Sequence, residues 1–415
     1  MKKEAQNIKS KSNIFNWILY DFANSIVSIV FFLYFAQWIV IEAGVSDFLF
    51  NLSFTVSAIL LLLTVPLTGS LLDKSLRRIT GLRYTTILST IFYGVCAIFA
   101  LTNSGMWSLI FFTLGLYFYL LSFTFYTPLL KDIVKKGKQG IISGLGITAN
   151  YLGQVIGLLI ALLFSNGTLN LFKASPRAET LLPAVIVFFI LSLPMLIFFK
   201  EPEKRKEKTT IKMELKNAWI KTKDIFSYSS ISFFLISYFL FNDAVLTASY
   251  NFPIFLEQVW HISDTAKTYI LLGILITSAI GGTLSGIIAD KFGHKRTLMW
   301  LLYGWVIILP AVALSTNFKL LIAITTLMGF WYGANWAVSR SVMSYLAPKG
   351  KHNLVFAYFG LAERASSFIG PIIWGLTISS LILLGSIRYR ITTLVITLFV
   401  LLGAFVLSRV RADKK

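Results

Sequence analysis

The chain has 415 residues, of which 56% are hydrophobic and 13% are charged, and its mean hydropathy is +0.75. About a quarter of the residues of a soluble domain are charged, so this composition excludes an ordinary soluble protein and indicates lipid as the solvent. The net charge of +20 lies in short loops between apolar runs, with no aromatic-interleaved basic domain, and we therefore expect no nucleic-acid partner.

Apolar stretches of about twenty residues follow one another along the chain, and each is long enough to cross a hydrocarbon core about 30 Å thick. The first begins after a basic lead and has no signal-peptide cleavage site, so we expect it to be retained. The sequence predicts twelve spans, near residues 16–41, 48–72, 84–101, 107–130, 141–164, 180–199, 230–256, 268–289, 297–315, 320–346, 353–378 and 390–408.

The Lys and Arg residues are distributed unevenly over the loops. If both termini are cytoplasmic, 30 of the 38 lie on inside segments and six on outside loops. Basic residues are retained on the cytoplasmic side of membrane proteins. The sequence therefore predicts a multi-pass integral membrane protein with cytoplasmic N- and C-termini, located in the plasma membrane if the source is a prokaryote.

The longest inside connection, residues 200–229, divides the twelve spans evenly. KKGKQGIISGLGITAN, which enters the fifth span, parallels PKGKHNLVFAYFGLAER, which enters the eleventh. We predict an N-terminal six-helix bundle at 1–199, a basic cytoplasmic linker at 200–229 and a C-terminal six-helix bundle at 230–415. Apolar residues among the lysines at 213–226 are equally compatible with a helix on anionic lipid and with a solvated linker helix.

The segment GTLSGIIADKFGHKR at 282–296 resembles the signature loop of the major facilitator superfamily, and GSLLDKSLRR after the second span is its counterpart. The resemblance implies an all-α membrane protein with the major facilitator fold, twelve transmembrane helices in two bundles with pseudo-two-fold symmetry. Glycine permits close helix approach, and the charged residues would latch one conformation. The predicted conformational-latch residues are Gly69, Asp73, Arg77, Arg78, Gly286, Asp290, Lys295 and Arg296.

Three further segments carry a narrower resemblance: WILYDFANS at 17–25, FLISYFLFNDAVLT at 234–247, and the Ser-Arg-Ser and GLAERASSFIGP elements within 333–371. Together they resemble the vacuolar amino-acid effluxer family, the autophagy-related branch of the facilitators, and its prokaryotic relatives. The resemblance implies amino-acid transport. The chain departs from the family at Asn150, where glycine is usual, and at Glu363, which precedes the usual basic position.

Charged side chains inside a span cost roughly 2.5–3.5 kcal/mol each to insert, and they usually face a cavity or a partner. Asp243 and the pair of consecutive residues Glu363 and Arg364 lie about 15 to 18 Å from the cytoplasmic ends of their helices. This depth is near the midplane, where facilitator substrates bind. We hypothesise that they bind substrate or couple protons; an internal ion pair is the structural alternative. The predicted substrate or coupling residues are Asp243, Glu363, Arg364, Asn150 and Asn242.

Asp21, Asn24 and Arg340 lie nearer the cytoplasmic ends of their predicted spans. Their polar contacts would form a cytoplasmic gate that breaks as the two bundles move. Helix capping or anchoring at the membrane interface is the alternative.

The chain has no phosphate-binding loop, and its three histidines all fall in predicted loops. We therefore expect no metal, no cofactor and no enzymatic activity. The prediction is a secondary transporter or facilitator of a small solute, with amino acids as the substrate class and protons as a candidate coupling ion. Alternatives are an exporter of lipophilic compounds and a non-transporting receptor with the same fold. The oligomeric state stays open, and a monomer is compatible with the sequence.

Overall fold

The computed structural model describes residues 2–74, 77–133, 139–201, 223–348 and 351–411. The regular structure in these ranges is helical, with no strand. Residues 202–222 of the predicted linker, including most of the lysine-rich segment, lie outside the described ranges. The predicted all-helical membrane architecture is confirmed.

The first half of the chain supplies six long helices. Helix α1 covers Lys2–Val30 and continues through two π-helical segments, Phe31–Phe35 and Trp38–Glu42. A one-turn helix, Pro176–Glu179, leads directly into α6. The remaining helices are α2 (Asp47–Lys74), α3 (Arg78–Leu101), α4 (Gly105–Ile133), α5 (Gln139–Ser165) and α6 (Leu181–Phe198).

The second half repeats this arrangement, except that its fifth helix is interrupted. That helix consists of α11a (His352–Ala365) and α11b (Gly370–Ser380). The others are α7 (Ser229–Trp260), α8 (Asp264–Phe292), α9 (His294–Leu314), α10 (Phe318–Leu346) and α12 (Ile387–Ser408).

Within the described residues, eleven helices are long and apolar enough to cross a membrane. The predicted span at 353–378 is not among them because residues 366–369 separate α11a from α11b. Pro371 lies in the first turn of α11b. Proline has no backbone N–H and clashes with a preceding helical turn, so it is tolerated at the start of a helix but not in its interior.

The contacts divide the chain into two compact units, one of Met1–Val45 and Leu63–Leu215 and the other of Ser46–Leu62 and Lys216–Lys415. In the first unit α1 packs on α5 and α6, and α3 packs on α4 and α6. In the second unit α7 packs on α11a, α11b and α12, and α9 packs on α10 and α12. The same pairs thus recur with an offset of six helices, as expected for two structural repeats.

The segment Ser46–Leu62, which includes the first part of α2, belongs to the second unit. The Phe54 ring stacks on Tyr250 with centroids 4.2 Å apart, and Thr55 donates a hydrogen bond to the carbonyl of Phe368 at 3.0 Å. The units therefore divide between Leu215 and Lys216, inside the predicted linker at 200–229, and also within α2, where the sequence predicts no boundary.

Candidate substrate and coupling sites

Asp243 lies in the middle of α7 with a fully buried side chain. Its Oδ2 accepts hydrogen bonds from the backbone N–H groups of Ile369, at 3.1 Å, and Gly370, at 2.7 Å. These groups belong to the first turn of α11b, where helical N–H groups have no partner within the helix and where a negative charge is favoured. Asp243 therefore caps the second half of the interrupted helix.

Gly370 brings the two helices together at this point. A Cβ atom at this position would lie 2.8 Å from Asp243 Oδ1, 3.1 Å from the Asp243 carbonyl oxygen and closer still to Thr247 Oγ1. A larger residue would push α11b away from α7 and weaken the cap. The glycine thus permits the approach that the carboxylate requires.

The second unit contains several buried polar atoms that have no hydrogen-bond partner among the described residues. A buried polar group without a partner costs about 1–3 kcal/mol, so such groups mark places where water or a polar ligand binds. They include Asp243 Oδ1, Asn242 Oδ1, Thr247 Oγ1 and the Tyr238 hydroxyl on α7, with the Asn335 amide and the Ser339 hydroxyl on α10. Of these residues, only Asn242 and Asp243 are predicted site residues.

Glu363, near the end of α11a, forms an ion pair with Arg340 on α10, with Oε1 and Nη2 3.5 Å apart. Asn242 donates a weak hydrogen bond of 3.5 Å to the carbonyl of Glu363. The structure thus joins the predicted gate arginine to a predicted substrate or coupling glutamate. The Arg340 side chain is 47% exposed, and exposed pairs of this kind contribute only about 0–1 kcal/mol, so this contact is easily broken. Arg364 is half-buried in the same turn.

The first unit carries a polar contact between its first and fifth helices. Asn150 on α5 donates a hydrogen bond of 3.3 Å to Asp21 Oδ1 on α1, and its own Oδ1 accepts one of 2.7 Å from Gln154. Asn24 is fully buried, and its side-chain amide has no partner among the described residues. Gln154 is absent from the sequence-based set, although it lies one helical turn after Asn150, where side chains share a face.

The two acidic side chains thus occupy related places in the repeats. Asp21 on the first helix faces the fifth helix, and Asp243 on the seventh faces the eleventh. Asp21 is half-buried with an amide partner, whereas Asp243 is fully buried at a helix interruption. The second unit therefore holds the more costly charge.

The structure describes the predicted latch loops in part. Gly69 and Asp73 lie in α2, but the side chains of residues 66–76 are outside the described part of the chain. Arg77 precedes α3, and Arg78 makes a long hydrogen bond of 3.5 Å to the carbonyl of Pro128. Lys295 caps the end of α12 by donating to the carbonyls of Ser408 and Val410 at 3.1 and 2.6 Å. Asp290 is exposed, and Arg296 stacks over Trp300.

The sequence predicts a close approach of two helices at Gly286, but the structure has this approach at other glycines. A Cβ at Gly286 would have no described neighbour within 4 Å, whereas at Gly281 it would overlap with the backbone of Phe330. At Gly333 it would overlap with the backbone of Ser278. The tight crossing is therefore made by Gly281 on α8 and Gly333 on α10, because the faces of the two helices that carry these glycines are turned toward each other.

One further feature, a groove, lies apart from the polar sites. An open groove between α8 and α10 contains none of the predicted site residues. The groove is lined by Thr277, Ile280, Ala323, Thr326, Leu327 and Phe330.

Within the described ranges, no group of three or more His, Cys, Asp or Glu side chains could hold a metal ion.

Solved structures of major facilitator transporters share this fold. A bacterial homologue of the human lysosomal transporter Spinster, in its inward-facing and unoccupied conformation, superposes with a TM-score of 0.73 at 12% identity, covering 97% of this chain and 96% of the other. The nucleoside transporter NupG, as a D323A mutant, gives 0.74 at 13% identity, covering 96% and 99%. The twelve-helix prediction is thereby confirmed, and the fold is the one that these transporters share.

The chain belongs to the family described as vacuole effluxer Atg22 like, which matches residues 33–415. The uncharacterised MFS-type transporter YxiO of Bacillus subtilis is 24% identical over 393 residues, 87% of each chain. A multi-drug resistance efflux pump PmrA homologue of Lactococcus lactis is 24% identical over 96% of this chain and 94% of its own. Autophagy-related protein 22 of Saccharomyces cerevisiae is 26% identical over 39% of this chain and 34% of its own. The predicted family is therefore confirmed, and with it a membrane transporter of the major facilitator type.

Proposed function

We propose that the protein is a secondary transporter that moves amino acids across the membrane by alternating access. The observation that carries the proposal is Asp243, a buried carboxylate that caps an interrupted membrane helix beside several unpartnered polar groups. Discontinuous helices near the bilayer midplane are where secondary transporters bind substrate and coupling ions. An amino acid presents one ammonium and one carboxylate group, which acidic and basic residues bind separately.

Each charged residue receives a role in this proposal. Asp243, with the neighbouring Asn242 side chain, binds the substrate ammonium group, and Arg364 binds the substrate carboxylate. Glu363 or Asp243 takes up a proton during the cycle. These roles are supported by the cost of charge in lipid, which is tolerated at functional positions.

The gate assignment also remains a proposal. Asp21, Asn24 and Asn150 belong to the gate in the first unit, and the Arg340 and Glu363 ion pair belongs to the gate in the second. The Asn150–Asp21 hydrogen bond is long and the Arg340–Glu363 pair is partly exposed, which suits a gate that opens in every cycle. The termini, the latch loops and the gate lie on the cytoplasmic side in this assignment, which rests on the distribution of Lys and Arg.

Uptake of a labelled amino-acid mixture into proteoliposomes that contain the purified protein tests the function. We expect saturable uptake, and counterflow when unlabelled amino acids are inside. An imposed pH gradient separates proton coupling from facilitated diffusion. Absence of uptake and of counterflow, with the protein correctly folded and inserted in both orientations, would contradict the proposal.

Export of lipophilic compounds is a second candidate, favoured by the similarity to the PmrA homologue over nearly the whole chain. Amino-acid transport depends on the buried charged residues to bind the substrate, whereas export of lipophilic compounds depends on them less. An exporter of lipophilic cations would reduce dye accumulation in intact cells, and amino acids would not compete with the dye. Competition of amino acids with each other but not with dyes supports the first candidate.

A further inference from the structure

We infer that Asp243 Oδ1 and Thr247 Oγ1 are two ligands of a sodium site at the interruption between α11a and α11b. This inference rests on the proposed transport function, and it gives Asp243 a sodium ion to bind in place of the proton or the substrate ammonium group. Thr247 is not among the residues singled out from the sequence.

The geometry places the two oxygen atoms together. Asp243 and Thr247 are one helical turn apart on α7, so they share a face. Both oxygens lie close to the position of a Cβ atom on Gly370, at 2.8 Å for Asp243 Oδ1 and nearer for Thr247 Oγ1. Both side chains are fully buried, and apart from the interaction between these two side chains, neither oxygen has a hydrogen-bond partner among the described residues.

The interruption supplies further oxygen atoms. Residues 366–369 lie outside both helices, and α11a ends at Ala365, so its carbonyl end points toward the break. Unwound backbone carbonyls and the carbonyl ends of half-helices coordinate sodium or protons in transporters with discontinuous helices. The carbonyl of Phe368 accepts from Thr55. The carbonyls of Ser366 and Ser367 are the candidate additional ligands.

The set of oxygen atoms favours a metal ion over a proton. Two backbone N–H groups donate to Asp243 Oδ2 at the positive end of α11b, and both effects favour the ionised carboxylate. Burial makes that charge costly unless a metal ion or a proton neutralises it, so the number of oxygen ligands distinguishes the two. A proton would satisfy Oδ1 alone, whereas a hard cation takes several oxygen ligands at once, as calcium and magnesium do. The neighbouring titratable group on α7 is Tyr250, whose hydroxyl accepts from Ser367 at 3.4 Å.

Thermal unfolding of the purified full-length protein in detergent tests the site without measuring transport. The melting temperature is compared in NaCl, KCl and choline chloride at equal ionic strength, at several fixed pH values. We expect a saturable increase specific to sodium. Thr247→Val should raise the apparent sodium dissociation constant by at least about tenfold, since even outer-shell partners of metal ligands contribute that much. Thr247→Ser, which keeps the hydroxyl, should retain the sodium effect, and Asp243→Asn should lose it.

Three outcomes would overturn the inference. These are the absence of a sodium-specific shift in the unmodified protein, an equal shift in Thr247→Val, and stabilisation by acid with none by sodium, which would assign the site to a proton. Amino-acid counterflow in potassium medium tests the transport proposal separately. Counterflow without any sodium effect would remove the sodium site and leave the proposed transport function standing.

Discussion

Asn51 and Asn251 exchange two hydrogen bonds through their side-chain amides. Asn51 Nδ2 donates to Asn251 Oδ1 at 2.9 Å, and Asn251 Nδ2 donates to Asn51 Oδ1 at 2.8 Å. Both side chains are fully buried, and each amide also donates to the carbonyl four residues earlier on its own helix, at 2.9 Å. This pair holds the first part of α2 against α7 within the second unit.

The two single substitutions at this pair should destabilise the protein, and the double substitution should destabilise it by less than the sum of the two. Asn51→Ala or Asn251→Ala alone leaves a buried amide without its partner and should destabilise the protein by about 1–3 kcal/mol. The loss of stability in the double variant should be smaller than the sum of the two single losses, by about 0.5–3 kcal/mol. Thermal unfolding in detergent measures the cycle, and strictly additive losses would show that the two amides do not interact.

Asp243→Asn should abolish amino-acid uptake without reducing the yield of folded protein. The substituted amide keeps an oxygen that accepts from the first turn of α11b, but it loses the charge that the substrate or cation requires. Asp224→Asn is the matched control, because Asp224 pairs with Lys351 where its side chain is 41% exposed. Unchanged uptake by the Asp243 variant would remove this residue from the mechanism.

Gly370→Ala should destabilise the protein and weaken transport, because the new methyl group overlaps with the Asp243 and Thr247 side chains. Overpacking of this kind typically costs about 1–3 kcal/mol. Gly360→Ala is the matched control in α11a, since its Cβ would have no described neighbour within 4 Å. There alanine should be neutral or stabilising by up to about 1 kcal/mol. Equal melting temperatures for the two variants would contradict the tight contact at Gly370.

Arg340→Glu and Glu363→Arg should each reduce uptake, and the charge-swapped double variant should restore part of it. Thermal stability should change by no more than about 1 kcal/mol, because the pair is partly exposed. Exchanging the charges of the exposed Lys351 and Asp224 pair provides the control. If the swap recovers nothing while the protein stays folded, Arg340 or Glu363 has a role of its own, such as binding substrate.

Gly333→Ala and Gly286→Ala should separate close packing from the latch motif. The first methyl group meets the backbone of Ser278, which cannot move aside easily, whereas the second has no described neighbour within 4 Å. We expect the melting temperature to fall for Gly333→Ala and to hold or rise for Gly286→Ala. A loss of uptake by Gly286→Ala without a loss of stability would support a conformational role for the latch loop.

The sequence alone predicted the number of membrane helices and the resemblance to the facilitators. These features are local, because lipid acts on each apolar segment separately and every segment long enough to span the membrane is recognisable by itself. The interruption of the eleventh helix was missed, since a proline within an apolar run does not show whether the helix bends or breaks. The capping contact of Asp243 with Gly370 depends on that break.

Hydropathy and charge thus determined the class of protein and the helices, and charge inside spans singled out Asp21, Asp243, Arg340, Glu363 and Arg364. The tertiary structure decided which of these residues meet. Arg340 pairs with Glu363, Asn51 with Asn251, and Gly333 rather than Gly286 marks the close helix crossing. The physical reason is that each contact depends on the rotation of a helix about its axis, which is set by packing against helices distant in the chain.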